Sequence, residues 1–301
     1  MVLKLDPRYP VVWRTPTSLQ IGVADPVAVL DDLTPATERM LAALVTGVSR
    51  SGLSMIGTSA GATEDEVEAL VDALDEAFVT PPKDTLTPTV LVVGAGLTSE
   101  RIADLLGWNG IRVRVVHDAV AAEREDCSLA IIVAHFVVAP VFHGTWLRRD
   151  IPHLPVVISD TAVTIGPLVE PGRGPCLYCV QSHRADADPA WPAIATQLHS
   201  TRSQADTPLV AGEAAGAAVR IVRAFLADPA RGGFAAALSL AVDTGATTVT
   251  ECVPHPLCGC RGLGVETASA AARPGTGSAG AGPRAVVTLH PRTTTASSVP
   301  G

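Results

Sequence analysis

Four cysteines carry the clearest chemistry in this sequence. Cys176 and Cys179 form a C-x-x-C pair, and Cys258 and Cys260 form a C-x-C pair far along the chain. Two thiolates at such short spacing can bind one metal ion from a single turn, and a second pair can complete a tetrahedron. Four sulfur ligands leave no position open for water or substrate. The spacing therefore predicts a structural Zn²⁺ site that ties the middle of a domain to its end.

Three other interpretations of the cysteines stay open. Cys252 or His255 could replace one of the four ligands, or the cysteines could be unrelated core residues. A redox role is disfavoured because a thioredoxin-like pair opens a helix after an early strand, whereas this pair lies late, between Gly-Pro-rich segments. The N-terminal residues lack the apolar stretch of a signal peptide, which predicts a reducing, cytoplasmic location where metal ligation is favoured over disulfides.

A glycine turn is the second chemical signal. Residues 89–93 read as a β-branched strand that runs into Gly94 and Gly96 and then into a helix, and Asp118 ends the next strand. Backbone N–H groups at such a turn can bind a phosphate, and an acid at the next strand end can bind a ribose. Ser99 stands where a third glycine is expected, and no lysine follows Lys83. The turn thus fits a Rossmann-like unit without a nucleotide better than an ATP and Mg²⁺ site.

Charge and hydropathy exclude two classes of partner. The formal net charge is −8, and no basic cluster offers the face that nucleic acid or an anionic membrane requires. No run reaches the roughly 18 apolar residues that span a bilayer.

The chain divides into four predicted regions. Residues 1–80 read as short strands followed by three helices, a small winged-helix-like module, and residues 81–88 as a proline-rich linker. Strands and helices alternate over residues 89–262, which predicts an α/β domain with a mostly parallel sheet. Residues 263–301 are rich in Ala, Gly, Ser, Thr and Pro and are predicted to be disordered.

The sequence around the cysteines resembles a known family. The segments at 165–179, 181–184, 188–192 and 255–260 are similar to those of ThiF-like proteins related to ubiquitin-activating enzymes. They resemble most the actinobacterial branch associated with thiazole/oxazole-modified peptides and their cyclodehydratases. In that branch a PqqD-like winged-helix module binds the leader of a precursor peptide, and residues 1–80 fit that module in order and length.

The resemblance implies one of two activities. Active ThiF-like enzymes adenylate a C-terminal carboxylate with ATP and Mg²⁺, using an Asn-Leu-Arg-type segment and a catalytic Lys that are not found here. A degenerate member has no catalytic residues and presents a peptide to a YcaO-type partner that uses ATP.

For the degenerate member, we expect the peptide to add a strand to the N-terminal sheet and to pack on the third helix. The candidate peptide-binding residues are Trp13, Leu19, Ile21, Val23, Leu70 and Leu74.

Two further expectations concern other partners. The apolar helix at residues 208–226 could supply a homodimer face. A winged-helix regulator of transcription is a third class of function, which the acidic charge disfavours.

Overall fold

A computed structural model describes residues 2–79, 88–232, 234–261 and 287–288. These residues form two compact units, one containing the N-terminal segment with strand 287–288 and the other containing residues 88–261. The linker prediction for 81–88 falls almost entirely outside the described residues. So does the disorder predicted for 263–301, apart from the strand at 287–288.

The N-terminal unit combines small sheets with three helices. Its strands are β1 Val2–Leu3, β2 Val11–Thr15, β3 Ser18–Ile21, β4 Ala28–Asp31 and β5 Val48–Ser49, and its helices are α1 Pro35–Thr46, α2 Arg50–Ser59 and α3 Glu64–Ala73. β2, β3 and β4 pair antiparallel, and β1 pairs with β5. Strand β13, Val287–Thr288, joins the edge of β4 in parallel.

The helix boundaries of this unit follow the signals in the sequence. Thr34 caps α1 by accepting the Thr37 N–H, and Gly47 ends that helix with a φ of 100°. Thr63 and Glu66 form a reciprocal capping box at the start of α3. Because such caps satisfy N–H groups that have no intrahelical partner, they place the helix starts locally.

The second unit is an α/β domain. Its elements are β6 Thr89–Val93, α4 Leu97–Trp108, β7 Arg112–Val116, α5 Ala119–Glu123, β8 Leu129–His135, α6 Val141–Thr145, β9 His153–Ile158, β10 Ala162–Ile165, α7 Leu177–Ala187, α8 Trp191–Leu198, α9 Pro208–Ala227, β11 Ala236–Ala241 and β12 Thr247–Glu251. The seven strands form one sheet in the order β12-β11-β10-β9-β8-β6-β7. β7, β6, β8 and β9 pair in parallel, and β10, β11 and β12 continue the sheet antiparallel.

The sheet buries both of its faces. Along β6, Val90 and Val92 belong to one hydrophobic cluster with α4 and α9, whereas Leu91 and Val93 belong to a second cluster with Trp146 and the start of α7. Strands buried on both faces read as continuous apolar runs, which explains the unbroken sequence of β6. The layered α/β architecture with its parallel strands confirms the predicted α/β class with a mostly parallel sheet, whereas the winged-helix module stays a prediction.

Several elements of this unit were not predicted from the sequence, and two of them change its architecture. β10 reverses direction after β9, and α7 begins directly after Cys176. The predicted homodimer face on α9 is largely engaged within the unit, since Ala211, Ala215 and Val222 are buried. Among the described residues no helix is both long and apolar enough to cross a membrane.

A buried histidine makes stability depend on pH. His153 is 0% exposed, its Nδ1 lies 3.0 Å from the Ile151 carbonyl oxygen, and burial lowers its pKa from 6.5 to about 4. The unfolded chain then binds a proton below pH 6.5 that the folded chain does not. Stability must therefore fall as the pH drops from about 6.5 to about 4, by about 3 kcal/mol for this group alone.

We expect His153→Asn to flatten that dependence. Urea unfolding between pH 4 and pH 7 measures it, with His117→Asn, at an exposed ring, as the matched control. Equal slopes for His153→Asn and the unaltered chain would contradict the assignment.

Candidate functional site

The four predicted cysteines converge on one point. The Sγ–Sγ distances are 3.7 Å for Cys176 and Cys179, 3.7 Å for Cys176 and Cys258, and 3.5 Å for Cys179 and Cys260. All four sulfurs lie within 4.8 Å of one another. A tetrahedral ion with bonds of about 2.3 Å has sulfur–sulfur edges of about 3.8 Å, so the cluster matches a tetrathiolate metal site. The cluster could therefore hold a metal ion through these four cysteines.

Helix α7 supplies the first pair of thiols. Cys176 is its N-cap and Cys179 lies in its first turn. The sequence predicted a turn between Gly-Pro-rich segments, but the pair opens a helix, since α7 begins at Leu177 directly after its N-cap Cys176. The positive end of a helix dipole favours thiolates at these positions, which suits metal ligation.

The thiols titrate unequally. Burial raises the pKa of Cys176 to about 11 and also raises the pKa of Cys260. Burial acts in the same direction on Cys179, but hydrogen bonds from the backbone of His255 and Cys176 and from neighbouring thiols outweigh it and lower its pKa to about 7. Only a bound cation can make all four groups thiolates at neutral pH, because it displaces their protons.

A histidine–aspartate pair fixes the loop that precedes the second cysteine pair. His255 is 5% exposed, and its Nε2 lies 3.0 Å from a carboxylate oxygen of Asp186 on α7. Its Nδ1 accepts the Leu257 N–H at 3.2 Å. Since Nδ1 accepts, Nε2 must carry the proton and donate to Asp186. Both ring nitrogens are thus occupied, and His255 does not replace a cysteine.

The other two cysteines lie outside the cluster. The Cys252 thiol donates to the Thr250 carbonyl oxygen at 3.8 Å, and burial raises the pKa of Cys127 to about 11. His183 lies near the cluster and donates to the Val253 carbonyl oxygen at 3.1 Å, whereas the guanidinium of Arg184 stacks on Trp191.

The glycine turn joins β6 to α4. A Cβ at Gly94 would lie 2.5 Å from the Val133 carbonyl oxygen of β8, and its φ is 136°. Gly94 is therefore required for close packing against the neighbouring strand as well as for its backbone conformation.

An internal carboxylate occupies the start of α4. Asp206 Oδ1 accepts the Thr98 N–H at 3.2 Å and the Thr98 hydroxyl at 2.6 Å. Its Oδ2 lies 2.6 Å from the position that a Cβ of Gly96 would take. Phosphates commonly bind at the N-terminus of a helix because the first N–H groups there have no partner within the helix. Here Asp206 takes that place, and its separation of 108 residues from Thr98 leaves no local signal in the sequence.

The cleft beside the turn is small. Its volume is about 230 Å³, and it is lined in part by Gly94, His117, His135 and Arg202. Small-molecule sites usually measure about 300–1,000 Å³. Asp118, the predicted ribose ligand, is exposed and caps α5 by accepting the Ala121 N–H at 2.8 Å.

The predicted peptide-binding residues fall into two groups. Leu19 and Ile21 on β3, with Leu70 and Leu74 at α3, are at most 2% exposed and form the core of the N-terminal unit. Trp13 and Val23 are 54% and 62% exposed. The buried four can support a bound peptide only from beneath, whereas the exposed two can contact it directly.

The sheet, the glycine turn and the tetracysteine cluster together define an α/β protein whose fold is shared by the solved structures of MccB and TruD. This confirms the fold that the resemblance implied; the actinobacterial branch stays a prediction. No family model and no curated protein sequence matches the chain.

Solved structures share this fold. MccB of E. coli with succinimide aligns with a TM-score of 0.61 and 11% identity over 87% of this chain and 100% of that chain. The heterocyclase TruD aligns with a TM-score of 0.60 and 16% identity over 87% of this chain, which spans only 42% of TruD. A heterocyclase in complex with substrate and cofactor aligns with a TM-score of 0.60 and 14% identity over 87% of this chain and 39% of that chain.

Loss of one cluster thiol should release the metal. Because four ligands would share one ion, we expect Cys258→Ser to lose stoichiometric metal. We also expect the melting temperature of the α/β unit to fall by roughly 10 °C. Elemental analysis and thermal unfolding measure both effects. Cys252→Ser, outside the cluster, is the control and should keep both values; equal metal content in the two variants would contradict the site.

The His255–Asp186 pair should tune the affinity for metal. Removing the acceptor by Asp186→Ala frees the loop that carries Cys258, so we expect metal affinity to fall about tenfold. Competition with a chromophoric chelator measures the change, and Asp104→Ala, on the exposed side of α4, serves as the matched control. Unchanged affinity would show that the pair is irrelevant to the cluster.

Proposed function

We propose that this chain is a zinc-stabilised, catalytically degenerate ThiF-like protein that binds the leader of a precursor peptide and presents it to a YcaO-type cyclodehydratase. Its location would be the cytoplasm, where thiols stay reduced. The proposal has three parts: the zinc, the missing adenylation and the peptide.

Zinc is the metal that best suits the cluster. Tetrahedral S₄ sites select zinc or iron–sulfur chemistry, and these four sulfurs stand at the distances of a single-ion site. When bound, the ion supplies no reaction; it holds the start of α7 against the segment with Cys258 and Cys260.

The observation that carries the degenerate role is the carboxylate of Asp206 at the start of α4. A phosphate placed there would meet a negative charge and would find the Thr98 N–H already bonded. The alternative, an active adenylyltransferase, is favoured by one comparison, since MccB has been solved with ATP. Binding ATP here would require Asp206 to leave the turn.

Support for a peptide ligand comes from the shared fold and from the N-terminal unit. MccB has been solved with MccA, and a heterocyclase with its substrate. The N-terminal unit has the three antiparallel strands and three helices that a winged-helix, PqqD-like module requires. Such a sheet binds peptides by β-augmentation, in which main-chain hydrogen bonds give affinity. It has two edges, at β2 and at β4.

The adenylation question has a direct test. We expect no ATP–pyrophosphate exchange by the purified chain with a precursor peptide encoded beside its gene. We expect Asp206→Asn to bind inorganic phosphate or ATP at least tenfold more tightly than the unaltered chain, because the charge at the turn is lost. Isothermal titration measures binding, and Asp228→Asn, the C-cap of α9, is the matched control.

Two outcomes would contradict the proposal. Robust exchange by the unaltered chain would establish the adenylyltransferase, and failure of any precursor peptide to bind would remove the presenting role. An adjacent YcaO-type gene and a short precursor gene rich in Cys, Ser and Thr would supply the partner and the peptide for these assays.

A further inference from the structure

The N-terminal sheet already carries a fourth strand from its own chain. Val287 pairs with Leu30 and Thr288 with Asp31, in parallel, at the outer edge of β4. The resulting order is β13-β4-β3-β2, so the edge at β2 is free of strands among the described residues.

The segment that supplies this strand differs in composition from its surroundings. Residues 285–289 read Ala-Val-Val-Thr-Leu, between Pro283 and Pro291, within a region that is otherwise mostly Ala, Gly, Ser, Thr, Pro and Arg. β-branched residues favour extended backbone, and flanking prolines limit the length of a strand. Sequence and pairing therefore single out the same short segment.

The edge of β4 is open to an added strand for a physical reason. β3 uses one side of β4, through the pairs Leu19–Leu30 and Ile21–Ala28, which leaves the N–H and C=O groups of the other side for β13 or for another extended segment. Such an edge accepts any extended backbone of suitable register. Leu30 and Ala28 point into the core and are buried, so the strand itself is rigidly held.

We propose that the segment around Val287 and Thr288 is a built-in competitor for the peptide-binding edge of β4. It occupies that edge when no peptide is bound and is displaced by an extended peptide segment rich in β-branched residues. This rests on the proposed function, since it names the edge and the regulation of the same peptide site.

The competition follows from tethering. A strand on the same chain acts at an effective concentration on the order of millimolar, so a free peptide must outcompete it. Disabling the internal strand should therefore raise the apparent affinity for an added peptide without any new contact.

The test uses the full chain with Val287→Pro and Thr288→Pro. Proline removes the backbone donors of the strand and changes no residue outside it. The probe is a fluorescein-labelled peptide of residues 281–293, and its binding is followed by anisotropy. We expect the double variant to bind the probe at least about tenfold more tightly than the unaltered chain. Ser297→Pro with Ser298→Pro is the matched control and should behave like the unaltered chain.

A second measurement locates the edge. Amide hydrogen exchange at residues 28–31 should quicken in the double variant, since these amides lose their cover. Arg14→Ala, on β2 at the opposite edge, should leave probe affinity unchanged in the background of the double variant.

Each possible result supports or contradicts the proposal that the strand at Val287 and Thr288 competes with a peptide. The competitor proposal would be overturned by equal probe affinity in all chains, by no probe binding at all, or by weaker binding in Arg14→Ala. A labelled precursor peptide separates this inference from the proposed function. If the probe binds the double variant but no precursor peptide does, the presenting role fails while the competitor stands. If precursor peptide binds every variant equally, the presenting role stands and the competitor fails.

Discussion

The convergence of four thiols is the constraint on which the α/β unit depends. It joins the first turn of α7 to the segment at Cys258–Cys260, so two parts of the chain that share no strand pairing meet where one ion could hold them. The His255–Asp186 hydrogen bond and the backbone N–H that His255 donates to Cys179 hold the same loop from a second side. Four sulfur ligands would leave no open coordination position, which agrees with a supporting role for the metal rather than a chemical one.

At the glycine turn, a sequence pattern typical of phosphate binding is instead satisfied by a carboxylate of the same chain. Gly94 and Gly96 adopt the backbone that a phosphate-binding turn needs, and α4 begins where such a helix should begin. Asp206 nevertheless satisfies the start of that helix from within the chain. A shared fold therefore does not carry a shared activity, since activity resides in the side chains that reach the site.

The sequence predicted features that depend on local chemistry. The strand before Gly94 and the choice of four cysteines follow from neighbouring residue types, and so do the helix starts that Thr34 and Thr63 cap. It did not predict what depends on distant contacts. Asp206 meets Thr98 only after the sheet forms, and α7 begins at Cys176 although prolines and glycines surround that point. The periodicity of apolar residues also could not tell whether Leu19 and Leu70 are core residues or contact a bound peptide. Either role places an apolar side chain on the same face of its strand or helix.

The carboxylate at the start of α4 also bears on how such a protein would respond to the energy state of a cell. An enzyme that binds ATP at this turn changes its occupancy when the ratio of ATP to ADP changes. Under the proposed function, in which Asp206 supplies the anion at this turn, the chain would have no such dependence. Its capture of a peptide would stay constant during starvation, and any metabolic control over the modification would have to act through the enzyme that receives the peptide.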